Sequence, residues 1–342
     1  MKIDILTTDG SPLHICPDCI WGDEYRMGVG GSELYLMTMC EAWSKAGHTV
    51  RLYNNPHKQV ELNIFEQLRT ADFNPDADRD VLINFRTPNV KTPVSKGLKV
   101  WLSCDQYSHG NYANFAQHVD KIVCISPYHV DFFKQRYGIE KALYIDIPVR
   151  GQDFVSQDKI NNRLIFTSVP DRGLANLWRM YPKIQKAIPD VSLVITSDYR
   201  LWGVTAQNES YRRMWYAFRD SVKFVGVLPR RAYLDELCKA EMMIYPCSYD
   251  ELFCISVAEA QWAGVYPITS SIGALKTTNM GTIFDADANN PGSDKLFVDE
   301  AVSILSNRDD LKTRQNYIQT SAQQRFSIET ILQEWEEKVF NK

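Results

Sequence analysis

The sequence lacks any long hydrophobic run. No stretch of its 342 residues approaches the roughly 20 consecutive apolar residues that a membrane-spanning helix needs, so we expect no stable insertion in a membrane. The opening residues, MKIDILTTDG, place acidic and polar side chains close to Met1. They predict a first β-strand rather than a secretory signal peptide. We therefore expect a cytoplasmic protein.

The sequence also lacks an excess of positive charge. Its 38 Lys and Arg residues stand against 42 Asp and Glu residues, a formal net charge of −4. This balance provides no overall attraction to nucleic acid or to anionic membranes, although it is compatible with a local basic groove.

The sequence lacks a dense cysteine framework, and its eight cysteines are scattered along the chain. Cys40, Cys124 and Cys254 lie inside apolar runs, where a buried free thiol is the commoner interpretation. Cys16 and Cys19 have the spacing of a metal or redox motif. Since a zinc site would need a second such pair and the sequence has none, loop cysteines are favoured.

The order of apolar runs predicts the fold class. Short β-rich runs alternate with segments of helical period, such as residues 32–46 and 128–137. Parallel strands need such crossovers, so the pattern indicates an α/β protein with doubly wound sheets. At this length two domains are expected. The predicted strands are KIDILTT, TVRLYNN, DVLINF, LKVWLSC, KIVCIS and ALYIDIPV in the first half, and RLIFTS, VSLVITS, VKFVGV, MMIYPC, YPITSS and GTIF in the second.

A polar, turn-rich stretch at residues 148–162 predicts the linker between the two domains. Ligands of such sheets lie at the carboxyl ends of the strands. A ligand bound by both halves is therefore expected in the cleft between them.

The most informative segment is residues 245–275, YPCSYDELFCISVAEAQWAGVYPITSSIGAL. The strand MMIYPC ends in a polar loop, and we expect a helix to begin near Phe253, to run to Trp262 and to stop at Gly264. A helix that starts just after a parallel strand offers unpaired N–H groups and a positive dipole end. The segment therefore predicts a phosphate-binding turn.

Two carboxylates flank this turn. Glu251 and Glu259 are eight residues apart, slightly more than two helical turns, so they can lie along one side of the element. Glutamates on helices are usually solvated. Glu259, however, lies in an otherwise apolar helix, where a buried carboxylate needs partners.

The whole segment resembles the Glu-x7-Glu signature of the retaining GT-B glycosyltransferases of family four. FTSVPDRGLANLWRMYPKIQKAIPDVSLVI and FVGVLPRRAYLDELCKAEMMIYPC resemble the regions that precede this signature, GVGGSELYLMTMCEAWSKAGHTVRLY and DKIVCISPYHVDFFKQRYGI resemble parts of the first domain, and FSIETILQEWEEKVF resembles the C-terminal helix. The resemblance implies two facing Rossmann-like domains, with a C-terminal helix that crosses back to the first. The expected boundaries are residues 1–153 with 327–342 for an acceptor-side domain, and 154–326 for a nucleotide-sugar-binding domain.

The resemblance also implies roles for individual residues. Glu251 would contact the donor sugar near the reaction centre, Glu259 the ribose hydroxyls, and Val227 would lie near the base. Arg172, where the family usually has a lysine, would neutralise the diphosphate, which suits a guanidinium. The backbone amides that would hold the sugar and diphosphate are those of Leu252, Phe253, Cys254 and Ile255.

In the first domain, Gly30 and Gly31 would form the phosphate-side loop, where glycine permits close approach and a positive φ. Ser32 could cap the following helix. Asp105 follows a predicted strand and is the candidate for catalysis or for orienting the acceptor; a helix cap is the alternative.

Two further positions differ from the family pattern. Thr167 stands where a basic residue is usual, and Cys104 stands where many relatives have a histidine. His109 is near enough in sequence to replace that histidine, although a lone histidine is more often structural. A catalytically inactive nucleotide-sugar-binding protein is therefore an alternative, as is a GT-B-fold epimerase or phosphorylase.

The implied reaction transfers a hexosyl group from a nucleoside-diphosphate sugar to a hydroxyl acceptor, with retention at the anomeric carbon. We expect a UDP-sugar rather than a GDP-sugar donor, with UDP-glucose as first choice, and neither a cofactor nor a metal. Asp76-Ala-Asp78 and Asp285-Ala-Asp287 have the spacing of a metal motif of another transferase fold, but both lie in stretches typical of solvated loops.

The acceptor is left open as a saccharide, a lipid-linked sugar or a hydroxyl-bearing modified nucleic acid base. The loops that select an acceptor vary freely within a fold. An amphipathic stretch at residues 60–68 could touch a membrane or partner, but core packing is the commoner explanation.

Overall fold

The computed structural model describes residues 1–7, 20, 28–56, 64–106, 110–202 and 208–341, with the side chains of 201, 202 and 208 excepted. These residues form two compact units. The N-terminal unit draws on residues 1–24, 30–148 and 328–342, and the C-terminal unit on residues 25–29 and 149–327. The predicted pair Cys16 and Cys19, and His109, lie outside the described residues.

The N-terminal unit contains a sheet of seven strands in the order β3-β2-β1-β4-β5-β6-β7 among its described residues. Every pairing in it is parallel. The central strand VLINF is buried at every position, as expected for a strand covered on both faces. The strands are β1 (Lys2–Leu6), β2 (Thr49–Tyr53), β3 (Glu66–Leu68), β4 (Val81–Phe85), β5 (Leu98–Leu102), β6 (Lys121–Cys124) and β7 (Ala142–Tyr144).

Among the described residues of this unit, three helices lie between the strands: α1 (Gly31–Lys45), α2 (Tyr112–Phe115) and α3 (Pro127–Tyr137). Local chemistry sets the ends of α3. The Ser126 side chain accepts a hydrogen bond from the backbone N–H of His129, and the helix ends at Gly138 with φ 66°. A hydroxyl cap and a left-handed glycine are the usual helix boundaries.

The C-terminal unit contains a second parallel sheet, in the order β10-β9-β8-β11-β12-β13. Its strands are β8 (Arg163–Phe166), β9 (Ser192–Ile195), β10 (Val222–Phe224), β11 (Met242–Tyr245), β12 (Tyr266–Ser270) and β13 (Thr282–Phe284). Its helices are α4 (Leu174–Ala187), α5 (Asn208–Trp215), α6 (Arg230–Lys239), α7 (Ile255–Trp262), α8 (Leu275–Thr278), α9 (Asp294–Ser306) and α10 (Arg308–Arg325).

The last helix, α11 (Ile328–Trp335), belongs to the N-terminal unit and continues into a π-helical turn, Glu336–Phe340. The buried Trp335 ring packs edge-on against Trp43 of α1, with 5.0 Å between ring centroids. The predicted return of the C-terminal helix to the first domain is confirmed, as is the α/β class with two doubly wound sheets.

Each sheet reverses its winding direction once. The chain moves outward from β1 through β2 to β3, and then resumes at β4 on the other side of β1; β8, β9 and β11 repeat this arrangement. The loops after β8 and β11 therefore diverge at neighbouring strand ends. Such a switch point leaves a crevice at the carboxyl edge, where ligands of doubly wound sheets bind.

The buried Phe65 favours core packing for the described end of the amphipathic stretch, and the helix expected near Phe253 begins two residues later. The described end of the predicted amphipathic stretch is the edge strand β3, which follows the buried Phe65. The helix expected from Phe253 begins at Ile255, since Cys254 has a left-handed conformation. None of the described helices is long and apolar enough to cross a membrane.

Candidate functional site

The loops after β8 and β11 lie against each other at the switch point of the C-terminal sheet. After β8, a 3-10 turn, Pro170–Arg172, carries Arg172 and ends at Gly173 with φ 110°. A Cβ on Gly173 would lie 2.4 Å from the Pro246 carbonyl oxygen after β11. A glycine is therefore required for this approach, which places Arg172 beside the loop that carries Glu251.

The backbone of Glu251 is held by the loop that follows β12. The N–H of Ala274 donates to the Glu251 carbonyl oxygen at 2.7 Å. Gly273, with φ 57°, approaches so closely that a Cβ there would lie 2.4 Å from the same oxygen. Three neighbouring strand ends thus fix the position of this carboxylate.

Arg172 and Glu251 form an ion pair, with Nη1 of the guanidinium 3.0 Å from Oε1 of the carboxylate. Tyr245 Oη lies 2.6 Å from the same Oε1 and 3.1 Å from Ser168 Oγ. The phenol has one proton, which the charged acceptor attracts more strongly, so Ser168 is the donor in the second bond. Among the described residues no hydrogen bond reaches Glu251 Oε2, and this oxygen can accept one from a ligand.

Burial and charge tune this group of side chains. Burial raises the pKa of Tyr245 well above its ordinary value, and the nearby Glu251 carboxylate raises it further. Burial alone would lower the pKa of Arg172, but the charge of Glu251 opposes it and the net shift is upward. The phenol therefore stays protonated and the guanidinium stays charged.

Tyr249 covers the face of the Arg172 guanidinium. The guanidinium carbon lies 3.3 Å from the ring centroid, well within the range of a cation–π contact. Tyr249 is 38% exposed, whereas the Arg172 side chain is 15% exposed. The ring therefore separates the cation from bulk water.

Helix α7 begins four residues after Glu251. Its first intrahelical bonds run from the N–H groups of Val257 and Ala258 to the Cys254 carbonyl oxygen. The preceding amides, of Ile255 and Ser256, belong to the helical N-terminus that can bind an anion. Cys254 has φ 70° and ψ 75°, a conformation that a non-glycine residue adopts only where its surroundings enforce it.

The predicted Leu252, Phe253 and Cys254 occupy the turn between Glu251 and α7, and the predicted Ile255 is the first residue of α7. Leu252 and Phe253 are buried, and the Phe253 ring packs against Phe326 at 5.6 Å between centroids. Their side chains therefore anchor the turn, and only their backbone groups are suited to a polar ligand.

Glu259 lies inside the unit and is 2% exposed. Its Oε1 is 2.5 Å from Arg230 Nη1, and its Oε2 accepts from Tyr233 Oη at 3.0 Å. Arg230 also pairs with Asp153 at 3.2 Å. The structure thus supplies the partners that a buried carboxylate in an apolar helix requires.

Val227 follows β10 at the same edge of the sheet. Its backbone N–H donates to Asp198 Oδ2 at 3.2 Å, and this carboxylate also pairs with Arg200. Burial raises the pKa of Asp198, but the bonds from Arg200 and Val227 outweigh burial and the net shift is downward. Sequence reasoning missed Asp198, although its place directly after the strand VSLVITS was an available clue.

In the N-terminal unit, Asp105 lies after β5 and accepts from Arg86 Nε at 3.0 Å. Asp105 does not cap α2, whose cap is Asn111. Arg86 follows β4 and has φ 65°. Sequence reasoning missed this arginine, since nothing in the pattern marks a left-handed residue there.

The glycine loop before α1 differs from its prediction. Gly30 is extended, with φ −70°, and Gly31 is helical, so neither has a positive φ. A Cβ on Gly30 would lie 2.2 Å from Glu33 Oε2, but this atom is the flexible end of a side chain and can move aside, so the position does not require a glycine. Ser32 is not the N-cap: its hydroxyl accepts from the Cys104 thiol at 3.5 Å.

The acidic pairs with metal-motif spacing have structural partners. Asp78 forms an ion pair with Lys2, Asp285 accepts from the Ser271 hydroxyl at 2.6 Å, and Asp287 accepts from the N–H of Asn289 at 2.9 Å. In the part of the chain that the structure describes, no group of three or more His, Cys, Asp or Glu side chains could hold a metal ion.

One curated protein matches part of the sequence. A 119-residue stretch of the chain is 27% identical to the "Uncharacterized glycosyltransferase YqgM" of Bacillus subtilis (strain 168), and covers 34% of this chain and 32% of that relative. The chain thus matches about a third of that protein's length.

Solved structures match over nearly the whole chain. Sucrose-phosphate synthase from Thermosynechococcus elongatus has a TM-score of 0.75 at 14% identity, with 99% of each chain covered. Anabaena Alr3699/HepE in complex with UDP-glucose has a TM-score of 0.71 at 15% identity, with all of each chain covered. At this identity the likeness establishes the fold.

The family comparison covers just under half of the chain, including the Arg172–Glu251 pair and the start of α7. Residues 164–324 match the family described as "Glycosyl transferases group 1". This part of the chain is similar to the group 1 glycosyltransferases, and the chain has the GT-B fold.

Proposed function

We propose that this protein is a glycosyltransferase that moves a hexosyl group from a nucleoside-diphosphate sugar to a hydroxyl acceptor with retention of anomeric configuration. One observation carries the proposal: the Arg172–Glu251 ion pair lies at the switch point of the C-terminal sheet, where Glu251 Oε2 can accept from a ligand beside the N-terminus of α7. Within one crevice, the cation and the helix N-terminus suit the negative charge of a diphosphate, and the carboxylate suits the hydroxyls of a sugar.

A UDP-sugar is the proposed donor, with UDP-glucose preferred over GDP-sugars. The structural neighbour HepE, which shares the fold over its whole length, was solved in complex with UDP-glucose. That neighbour supports the choice of donor, but at 15% identity it does not assign one to this chain.

In the proposed complex, Arg172 and the first amides of α7 receive the diphosphate, and Glu251 Oε2 accepts from a hydroxyl of the sugar. Glu259 would serve the ribose. Each of its oxygens already accepts one bond, from Arg230 and from Tyr233. A carboxylate offers about four lone-pair sites, so both oxygens can still accept from a hydroxyl.

The chemistry requires breaking the bond between the anomeric carbon and the diphosphate oxygen, and forming one from that carbon to the acceptor oxygen. The acceptor proton leaves with the diphosphate or solvent. Negative charge develops on the leaving group, so fixed positive groups aimed at it lower the barrier. Arg172 and the α7 dipole supply that charge in a mechanism that needs no metal.

The acceptor is proposed to bind through the N-terminal unit, with Asp105 orienting its hydroxyl. Asp105 is held by Arg86 at the carboxyl end of the first sheet, where a doubly wound sheet binds its ligand. A saccharide, a lipid-linked sugar and a modified nucleic acid base all offer a suitable hydroxyl.

The test is a donor panel followed by an acceptor panel. We expect UDP-glucose to raise the melting temperature and to release UDP in the presence of the right acceptor, with an α-linked product by NMR. A product of inverted configuration would contradict retention. Binding without turnover on any acceptor would favour the inactive alternative, and an isomerised nucleotide sugar without UDP release would favour an epimerase. Glu251→Ala serves as the control that must lose transfer.

A further inference from the structure

The ring of Tyr249 contacts the flat face of the Arg172 guanidinium, with the guanidinium carbon 3.3 Å from the ring centroid. All the N–H donors of an arginine lie in the guanidinium plane. A stacked ring therefore restrains the plane while it leaves the donors at its edge directed outward. Lysine could not be held in this way, since its charge is a compact point on a flexible stem.

The edge of the guanidinium is already oriented by the protein. Nη1 points at Glu251 Oε1, which Tyr245 Oη holds from another direction at 2.6 Å. Together the stack and the ion pair restrain the guanidinium both by its face and by its edge. Long cationic side chains otherwise lose considerable rotamer freedom when they bind a ligand.

We infer that Tyr249 is a positioning residue for the donor: it acts through Arg172 to hold the guanidinium ready for the diphosphate. The inference rests on the proposed function. It goes further because it assigns the preorganisation of the Arg172 guanidinium to Tyr249, a residue outside the Glu-x7-Glu signature. The exposed ring also excludes water from the face of Arg172, whose side chain is 15% exposed, and this exclusion strengthens each charge interaction made there.

Calorimetric titration of UDP, UMP and uridine into the wild type and three variants tests the inference. Tyr249→Ala is expected to weaken UDP binding about tenfold, in the range of a partly desolvated cation–π contact, and to leave uridine binding unchanged. Tyr249→Phe retains the aromatic face and is expected to bind UDP with the wild-type affinity. UMP, with one phosphate, should show an intermediate loss.

The double variant Tyr249→Ala, Arg172→Ala separates this role from a structural one. If Tyr249 acts through Arg172, then removing the ring has no further effect on UDP once the guanidinium is gone. Thermal unfolding of each variant reports on folding independently.

Equal UDP affinities for Tyr249→Ala and Tyr249→Phe would overturn the inference. So would a loss that persists undiminished in the Arg172→Ala background, or one that extends equally to uridine. A wild-type protein that binds no nucleoside diphosphate at all would instead overturn the proposed function, and the inference with it.

Discussion

Arg230 Nη1 lies 2.5 Å from Glu259 Oε1, with both side chains almost completely buried inside the C-terminal unit. The guanidinium also pairs with Asp153 at 3.2 Å. One cation on α6 thus holds a carboxylate in the middle of α7, the helix whose N-terminus forms the proposed phosphate site. The pair therefore ties α7 to α6.

Removing the cation is expected to be more harmful than removing the anion. Arg230→Met leaves the buried Glu259 charge without a counter-ion, which costs about 3–5 kcal/mol of unfolding free energy. Glu259→Gln leaves Arg230 paired with Asp153 and should cost clearly less. Urea unfolding of the two variants measures the difference, and equal losses would contradict the assignment of this ion pair.

Sequence patterns predicted most of the fold because the strands are buried on both faces. A run such as VLINF is apolar except for Asn84, which is itself buried, and such runs correctly located the central strands. The edge strand β3 has only three residues, EQL, with one of them buried, and its pattern is too short to distinguish from a loop. Pairing with β2 creates this strand, and pairing is not visible in a local window.

The site was predictable in part for a similar reason. Positions that follow a strand, such as Arg172 and Glu251, could be located from the strand itself. The partners of Glu259 could not, because Arg230 is 29 residues away and meets it only through the packing of α6 on α7. The start of α7 could not be located from the sequence either, since no local pattern predicts a left-handed conformation at Cys254.

Gly273→Ala is expected to destabilise the protein more than Gly138→Ala. The two glycines have similar φ, 57° and 66°, so alanine meets a similar backbone penalty of about 1 kcal/mol at either site. A Cβ at Gly138 meets nothing within 4 Å, whereas one at Gly273 would lie 2.4 Å from the Glu251 carbonyl oxygen. We therefore expect a total loss of about 3 kcal/mol or more at Gly273, with loss of transfer, since Glu251 must shift.

Chemical unfolding and a transfer assay on the two variants check this prediction. Gly138→Ala should retain activity, because Gly138 ends α3 in the other unit. Losses of similar size at both sites would show that the loop after β12 can yield, and that it does not fix Glu251.

His129 should make the protein less stable at mildly acidic pH. Burial lowers its pKa to about 3 in the folded state, against about 6.5 for an unfolded histidine. Between about pH 6.5 and pH 3 the unfolded chain therefore binds a proton that the folded chain does not. The free energy of unfolding decreases as the pH is lowered through this range. The expected loss between pH 7 and pH 5 is about 2 kcal/mol.

The control for this effect is His129→Asn. The histidine Nδ1 accepts from the N–H of Ile125 at 3.4 Å, and the asparagine oxygen can accept in its place. Urea titrations at several pH values should give a flatter pH dependence for the variant than for the wild type. Parallel curves would mean that His129 does not contribute this proton linkage.

Glu251→Gln is expected to separate transfer from nucleotide binding. The amide keeps the shape of the side chain and an oxygen for the Tyr245 hydroxyl, but it ends the ion pair with Arg172, whose Nη1 is 3.0 Å from the carboxylate. The stack with Tyr249 still orients the guanidinium, and no carboxylate competes for its charge, so UDP should bind as tightly as to the wild type or more tightly. The charge that faces the reacting sugar is lost, so kcat should fall about 10²–10³-fold, as for other fixed polar groups of an active site.

Glu236→Gln is the matched control, because Glu236 also pairs with an arginine, Arg163, at 3.3 Å. It should change neither UDP affinity nor kcat. If UDP affinity fell together with kcat in Glu251→Gln, the carboxylate would be needed to hold the loop rather than to meet the sugar. If Glu251 and the diphosphate compete for one guanidinium, UDP affinity must not fall. Glu251→Gln must then bind free UDP at least as tightly as the wild type does, although it transfers the sugar more slowly.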